Sequence, residues 1–433
     1  MIRTMLFVAR FLLRWLYTCL FVVGLPLVLL RLCWRSLKNP AYRARWGERF
    51  GIFKFPLQEG GLWLHAVSVG ESIAAIPLIR EFQRRFPTLP ITMTTSTPTG
   101  SARVQNTFGS QVFHIYFPYD LPWCFDRALK LIRPRLMILM ETELWPNCLL
   151  KCQQLQIPVL IANARLSPRS MRGYGYIKLM TQTMLECVNL VAAQSERDGA
   201  NFVKLGLAPE RLVVTGNIKF DVPIKEGIEA EARKLRESWG KERLVFVAAS
   251  THAGEEEQVL NAFKEIQKQF KDALLILVPR HPERFAQVAA LVQQQGYSVI
   301  LRSSGSPATS ETQVFLGDTM GEMNLFYAAS DVAFVGGSFI AIGGHNTLEP
   351  AAAGIPVIVG PHVHNFIEIT QLLSDAKALL QVSDSHTLAE AVLHWFASTE
   401  ARKKAGNAGK EVVEKNRGAV SKIVDLAQNN FLN

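Results

Sequence analysis

Side chains able to move a proton or hold an anion recur just after the apolar, β-branched runs of this chain. LWLHAV (62–67) is followed by Ser68, Val69, Gly70, Glu71 and Ser72, and then by a helical pattern. Glycine permits a tight strand-to-helix turn. The Glu71 carboxylate then either caps its helix together with Ser68 or projects from the sheet mouth as a general base. ITMTTST (91–97) runs into Pro98, Thr99, Gly100 and Ser101, a hydroxyl-rich turn whose N–H groups suit an anion or sugar hydroxyls. LMILM (136–140) ends in Glu141, Thr142 and Glu143, close to Trp145. Two acids at the end of a buried strand are costly unless they form an ion pair or do chemistry. LVVTGN (212–217) leads to Lys219, between Asn217 and Asp221, which reads as an anion contact or as a solvated side chain.

The second half offers cations and glycines instead. ALLILVP (273–279) ends at Pro279 and is followed by Arg280, where a guanidinium suits phosphate recognition. GDTMGEM (317–323) sets Met320, Gly321 and Glu322 at the start of a helix. Gly336-Gly337-Ser338 precedes Gly343-Gly344-His345-Asn346-Thr347-Leu348-Glu349-Pro350. Glycines running into a helix N-terminus cradle phosphate, and Glu349 is placed for ribose hydroxyls. Neither the dinucleotide fingerprint nor the P-loop pattern occurs. Asp-x-Asp is also missing, so a metal-independent reaction without a cofactor is expected. A base in one half and phosphate donors in the other fit transfer from a nucleotide-activated donor.

These motifs need elements that deliver them to strand ends. Apolar runs at 62–67, 91–97, 112–117, 136–141, 159–164, 190–195 and 212–217 read as strands buried on both faces. A charge-rich helical stretch, 222–242, interrupts them, and the pattern resumes at 244–250, 273–279, 297–302, 332–338 and 356–361. Alternating strands and helices imply parallel sheets covered on both sides. The expected division is an anchor at 1–40, an α/β domain at 41–220, a linker region at 221–242 and a second α/β domain at 243–433. Ligands of such sheets bind beyond the C-terminal strand ends, so the cleft between two such domains is the expected place of reaction.

The chain has 433 residues and a formal charge of +10. Residues 1–50 hold nine of the 47 basic residues and only one of the 37 acids, so the excess charge is N-terminal. A broad nucleic-acid face is thereby excluded. Residues 15–30 are an uncharged apolar run flanked by arginines. They read as a membrane anchor, spanning or interfacial, rather than a signal peptide or a core helix. More positive charge follows the run than precedes it, which places the following domain in the cytoplasm. Six cysteines with no zinc spacing read as reduced thiols.

In order, WLHAVSVGES, TTSTPTGS, ETELWPN, NARLS, GNIKFD, ASTHAGEE, PRHPERF, GDTMGEM, GGSF and GGHNTLEPA resemble the motifs of bacterial 3-deoxy-D-manno-octulosonic acid (Kdo) transferases. The apolar N-terminus followed by YRARWGERFG (42–51) is similar to that family as well. The resemblance implies a glycosyltransferase B fold, glycosyltransferase family 30, with two Rossmann-like domains facing a cleft. It implies CMP-Kdo as donor, the tetraacyl disaccharide bisphosphate precursor of lipid A as acceptor, inversion at the anomeric centre and no metal. By motif position Glu71 is the base, and Glu141 and Lys219 support the transition state. CMP contacts fall on Pro279, Arg280, Met320, Gly321, Glu322, Asn346, Thr347, Leu348 and Glu349. On the acceptor side, Arg43, Arg45 and Arg49 would meet the anionic lipid, beside Thr99, Gly100 and Ser101. The implied location is the cytoplasmic side of a bacterial inner membrane. Another enzyme of the same fold using a different nucleotide sugar, or a silent membrane scaffold, are the alternatives.

Overall fold

The computed structural model describes residues 2–54, 59–222 and 227–432. It divides into two compact units, one built from the chain up to Asp221 together with Arg417 onward, the other Val222–Asn416.

In the first unit seven strands form one sheet: β1 (Leu62–His65), β2 (Ile91–Thr95), β3 (Phe113–Tyr116), β4 (Leu136–Met140), β5 (Val159–Ala164), β6 (Leu190–Ala193) and β7 (Leu212–Val214). Their order is β3-β2-β1-β4-β5-β6-β7, parallel throughout, with Leu62 opposite both Ile91 and Leu136. β1, β2, β4, β5 and β6 are buried at every residue, which is why they read as unbroken apolar runs. One face is covered by helix Val69–Arg85, through Leu78, Ile79 and Phe82, and by helix Ala419–Ala427, through Val420, Ile423 and Val424. The other face buries Trp63, Met137, Ile161 and Val191 against Phe125, Leu149 and Phe202.

The second unit repeats the plan with β8 (Val245–Thr251), β9 (Leu274–Pro279), β10 (Val299–Leu301), β11 (Val314–Leu316), β12 (Val332–Val335), β13 (Val357–Val359) and β14 (Leu379–Gln381). The order is β10-β11-β9-β8-β12-β13-β14, again all parallel. β11 and β14 were not expected from the sequence. The apolar run at β11 is only Val314–Leu316, between Gln313 and Gly317, and β14 exposes two of its three residues.

Two of the expected boundaries need correction. Residues 417–433 do not continue the second domain but rejoin the first unit. The tie is Asp221, whose carboxylate accepts the N–H groups of Gly418 and Val420, both at 2.6 Å, at the start of helix Ala419–Ala427. Most of the expected linker is a working element of the second unit. Helix Ile228–Trp239 buries Ile228, Ala232 and Trp239 against β8, β9 and β11, and Trp239 meets Phe315 at 5.3 Å.

One helix among the described residues, Val8–Lys38, is long and apolar enough to cross a membrane. All six cysteines are free thiols; Cys19 and Cys33 are exposed on that helix and the other four are buried.

Candidate active site

In each sheet the strand order changes direction beside the strand that opens it in sequence, and ligands of open α/β sheets bind beyond the strand ends at such a point. In the first unit the reversal lies between β1 and β4. Glu71 follows the first of these strands and Glu141 the second. Ser68 caps helix Val69–Arg85, and a full capping box forms. The Glu71 carboxylate accepts N–H groups from Val67 at 2.9 Å and Ser68 at 3.2 Å, while Ser68 Oγ accepts the Glu71 N–H at 3.2 Å. The capping reading of Glu71 is therefore realised, and it aims the side chain without removing it from the sheet mouth.

Glu141 sits at φ 57°, a left-handed conformation that costs a non-glycine residue about 1 kcal/mol or more. Its N–H is held by the Ala162 carbonyl at 2.9 Å, and Tyr174 Oη donates to the Thr142 carbonyl at 3.3 Å. Burial, and next the neighbouring Glu71, push Glu141 above the usual carboxylate range, against the pull of Lys219 and Arg165. Glu143 is pushed further, up to about 8, by burial and then by Glu71. The structure thus brings Glu71, Glu143 and Lys219 within electrostatic reach of Glu141.

Lys219 is placed by asparagines. Asn163, at φ 55° near the end of β5, accepts the Ile218 N–H at 3.0 Å. Asn217 accepts the Lys219 N–H at 3.0 Å and donates to Gln194 at 2.9 Å. The Lys219 turn is thereby bonded to the ends of β5 and β6.

Of the expected acceptor residues, Arg45, Arg49 and Ser101 join one small network. Arg45 hydrogen-bonds Ser101 and lies 4.5 Å from the Tyr116 ring centroid. Arg49 is buried, stacks on the same ring at 4.2 Å and donates to the Ser96 carbonyl at 3.1 Å. Arg43 stands apart from them and donates to Ser36 at 2.8 Å. Thr99 is exposed. A side chain at Gly100 would come within 3.3 Å of Ser72, so the two helix starts that carry Glu71 and Ser101 are neighbours.

In the second unit the order reverses between β8 and β12. Glu255, fully buried after β8, accepts N–H groups from His252 (3.0 Å), Gly337 (2.7 Å), Ser338 (3.0 Å) and Phe339 (2.9 Å). Gly336 is obligatory there, because a Cβ would fall 2.6 Å from the Ser250 carbonyl oxygen. Arg280 follows Pro279, and its N–H bonds the Thr251 carbonyl at 2.9 Å. Among the described residues no carboxylate lies within ion-pair distance of its guanidinium. Asn346 donates to Glu349 at 3.0 Å and accepts the Leu348 N–H at 3.1 Å. Burial raises Glu349, and Asn346 and Arg280 oppose the rise. Thr347 and Leu348 are buried. Glu322 is gripped by Arg302 at 2.7 Å, whereas Met320 is exposed and Gly321 turns at φ 84°.

Three histidines gather here without having been assigned a role. His252 and His345 stack at 5.0 Å, with Nε2 atoms 2.7 Å apart, and His281 meets His252 edge-on at 5.2 Å. Burial, followed by His252 and Arg280, takes His345 down to about 4. The signal was their place within strand-end turns; spacing in sequence did not reveal the stack.

The family profile described as 3-deoxy-D-manno-octulosonic-acid transferase (kdotransferase) matches residues 44–222, and the profile for glycosyl transferases group 1 matches 227–412. The 3-deoxy-D-manno-octulosonic acid transferase of Haemophilus influenzae is 45% identical over 95% of this chain and 97% of its own length. That of Bordetella pertussis is 36% identical over 89% of this chain and 90% of its own. Among solved structures, the UDP-GlcNAc 2-epimerase of Neisseria meningitidis covers 86% of this chain and 100% of its own at a TM-score of 0.56, with 15% identity. That likeness is one of fold alone, and with the two parallel sheets it makes the architecture that of the glycosyltransferase B type. On its sequence relatives, the chain belongs to the 3-deoxy-D-manno-octulosonic acid transferase family.

Proposed function

We propose that this Kdo transferase takes CMP-Kdo as donor and the tetraacyl disaccharide bisphosphate precursor of lipid A as acceptor, at the cytoplasmic side of the bacterial inner membrane. The observation that carries the reading is the carboxylate group at the β1/β4 reversal, with Glu71 held by two backbone N–H groups and Lys219 alongside. In the proposed step Glu71 removes the acceptor hydroxyl proton as oxygen attacks the anomeric carbon. The bond to CMP breaks on the opposite side, which inverts the centre.

The charges support this division of labour. Glu143, raised to about 8, keeps its proton near neutral pH and so spares the site one negative charge. Kdo carries a carboxylate and the departing CMP a phosphate. Lys219 and Arg280 are the proposed counter-charges, so that no metal is required. The 336–339 turn and Asn346 to Glu349 are assigned to the nucleotide, with Met320 to Glu322 beside them.

The test is transfer in vitro with purified protein, CMP-Kdo generated in situ and the dispersed precursor, read by mass spectrometry of the lipid. The expected product is heavier by one or more Kdo units. No product with intact donor overturns the acceptor assignment, and competition by UDP rather than CMP overturns the donor.

A further inference from the structure

We propose that helix Ile2–Lys38 lies in the plane of an anionic membrane surface, strapped along the first unit, rather than crossing the bilayer. Its first half is bonded to that unit by polar side chains. Arg10 forms a two-pronged pair with Glu186, at 2.6 and 2.7 Å. Arg14 Nε donates to Asn147 Oδ1 at 2.9 Å. Thr18, 3% exposed, accepts from Asn147 Nδ2 at 3.1 Å. Asn147 is itself fixed by Asp120, to which it donates its backbone N–H at 3.0 Å and its amide at 2.8 Å.

The other end returns to the same unit. Ser36 accepts from Arg43 at 2.8 Å. A few residues on, Glu48 accepts the Tyr116 N–H at 2.8 Å and Arg49 reaches the Ser96 carbonyl at 3.1 Å, at the edge of the first sheet. A spanning helix delivers its two ends to opposite faces of a bilayer, and this one delivers both to a single compact body. The stretch from Cys19 to Arg35 that lies between these ties is about 25 Å long at 1.5 Å per residue. The hydrocarbon core is about 30 Å thick.

The occupant of the free side follows from its chemistry. Arg10, Arg14 and Thr18 recur every four positions and so share one face of the helix. On the opposite face Leu12, Leu16, Val23, Leu27, Leu30 and Trp34 are each more than half exposed. Arg31, Arg35 and Lys38 are exposed beside them, and the helix holds no acidic residue. An apolar stripe with a basic margin fits anionic lipid, whereas a second copy of the same helix would set like charges together. Asn147 closes the motif that carries Glu141 and Glu143, so the strap is bonded to the segment bearing those carboxylates.

The native thiols supply the test. Full-length protein carries one environment-sensitive fluorophore at Cys19 or at Cys33, the other position being changed by Cys33→Ser or Cys19→Ser. It is bound to phosphatidylethanolamine vesicles containing phosphatidylglycerol, and depth is read with lipids bearing nitroxides at shallow or deep positions. Both labels should be quenched from the same shallow depth, and binding should fall at least tenfold on phosphatidylcholine alone. Cys19 at the bilayer centre with Cys33 at the headgroups overturns the proposal in favour of a span. No quenching at either position removes lipid as the occupant. The double variant Leu16→Glu/Leu27→Glu should lose vesicle binding at least tenfold with an unchanged far-UV spectrum, and retained binding also overturns the proposal.

Discussion

Glu71 and Glu255 stand at corresponding places in two all-parallel sheets. Each lies in the first turn of the helix that follows the strand opening its sheet in sequence, β1 or β8, and each takes N–H groups from the loop before that helix. There the likeness ends. Glu255 reaches across the strand reversal to three further N–H groups and is completely buried. Glu71 bonds only locally, and across its reversal stand Glu141 and Glu143. The same residue type in the same position is scaffold in one unit and candidate chemistry in the other. The strand opposite decides which: after β12 it supplies a glycine turn with free N–H groups, and after β4 it supplies acids.

The comparison breaks most sharply at Glu71. Glu71→Gln preserves a capping box, since glutamine serves at that position as well, but it cannot accept the proton. Transfer should fall by about 10²–10⁴-fold on the general-base scale, with CMP binding unchanged and stability within about 1 kcal/mol. Near-normal turnover would leave Glu71 a cap and nothing more.

Glu255→Ala should do the reverse. It strips the acceptor from three buried N–H groups across the reversal, at about 1–3 kcal/mol each before the turn relaxes. Denaturant unfolding of the second unit should shift by about 3–5 kcal/mol, and CMP affinity should drop with it. A mild loss of stability would mean that the glycine turn holds its shape unaided.

Glu143 sharpens the contrast through pH. Its folded-state pKa, about 8, is raised above that of the unfolded chain. The favourable contribution is therefore complete below about pH 4.5 and is lost as pH climbs through 8, because the unfolded chain releases the proton first. Glu143→Gln should match the parent near pH 4.5 and be more stable by about 1–3 kcal/mol at pH 8. The same variant should extend activity to higher pH, where an ionised Glu143 would repel an anionic donor. Parallel stability curves for the two proteins would place the proton elsewhere in the cluster.

How much of this could be read beforehand depended on sequence distance. Twelve strands were legible because they lie in longer apolar, β-branched runs; the run at β11 is only Val314–Leu316, and β14 exposes two of its three residues. Glu71, Glu141, Lys219 and Arg280 were legible because reactive side chains directly after buried runs are costly without a purpose. Partners distant in sequence were not. Glu255 and Gly337 are 82 positions apart, as Asn163 and Ile218 are 55 apart, and nothing local to either member signals the bond. The two histidines stacked beside Arg280 stayed hidden for the same reason, being 93 positions apart. The resemblance named the motif residues, and the fold supplies what holds them.

Asp221 carries this lesson to the smallest effect. It ends the motif that bears Lys219, yet its carboxylate serves a helix almost 200 positions later, taking the Gly418 and Val420 N–H groups at 2.6 Å each. A carboxylate at a helix start meets both unpaired donors and the positive end of the helix dipole. Asp221→Ala should cost the first unit about 1–2 kcal/mol, the range for a lost cap, and Asp221→Asn less, because an amide oxygen still accepts one bond. The second unit lacks this helix, so CMP binding should be unchanged in both variants. A loss of CMP affinity equal to the loss of stability would show that residues 417–433 support both units, and the assignment of that helix to the Lys219 side alone would fall.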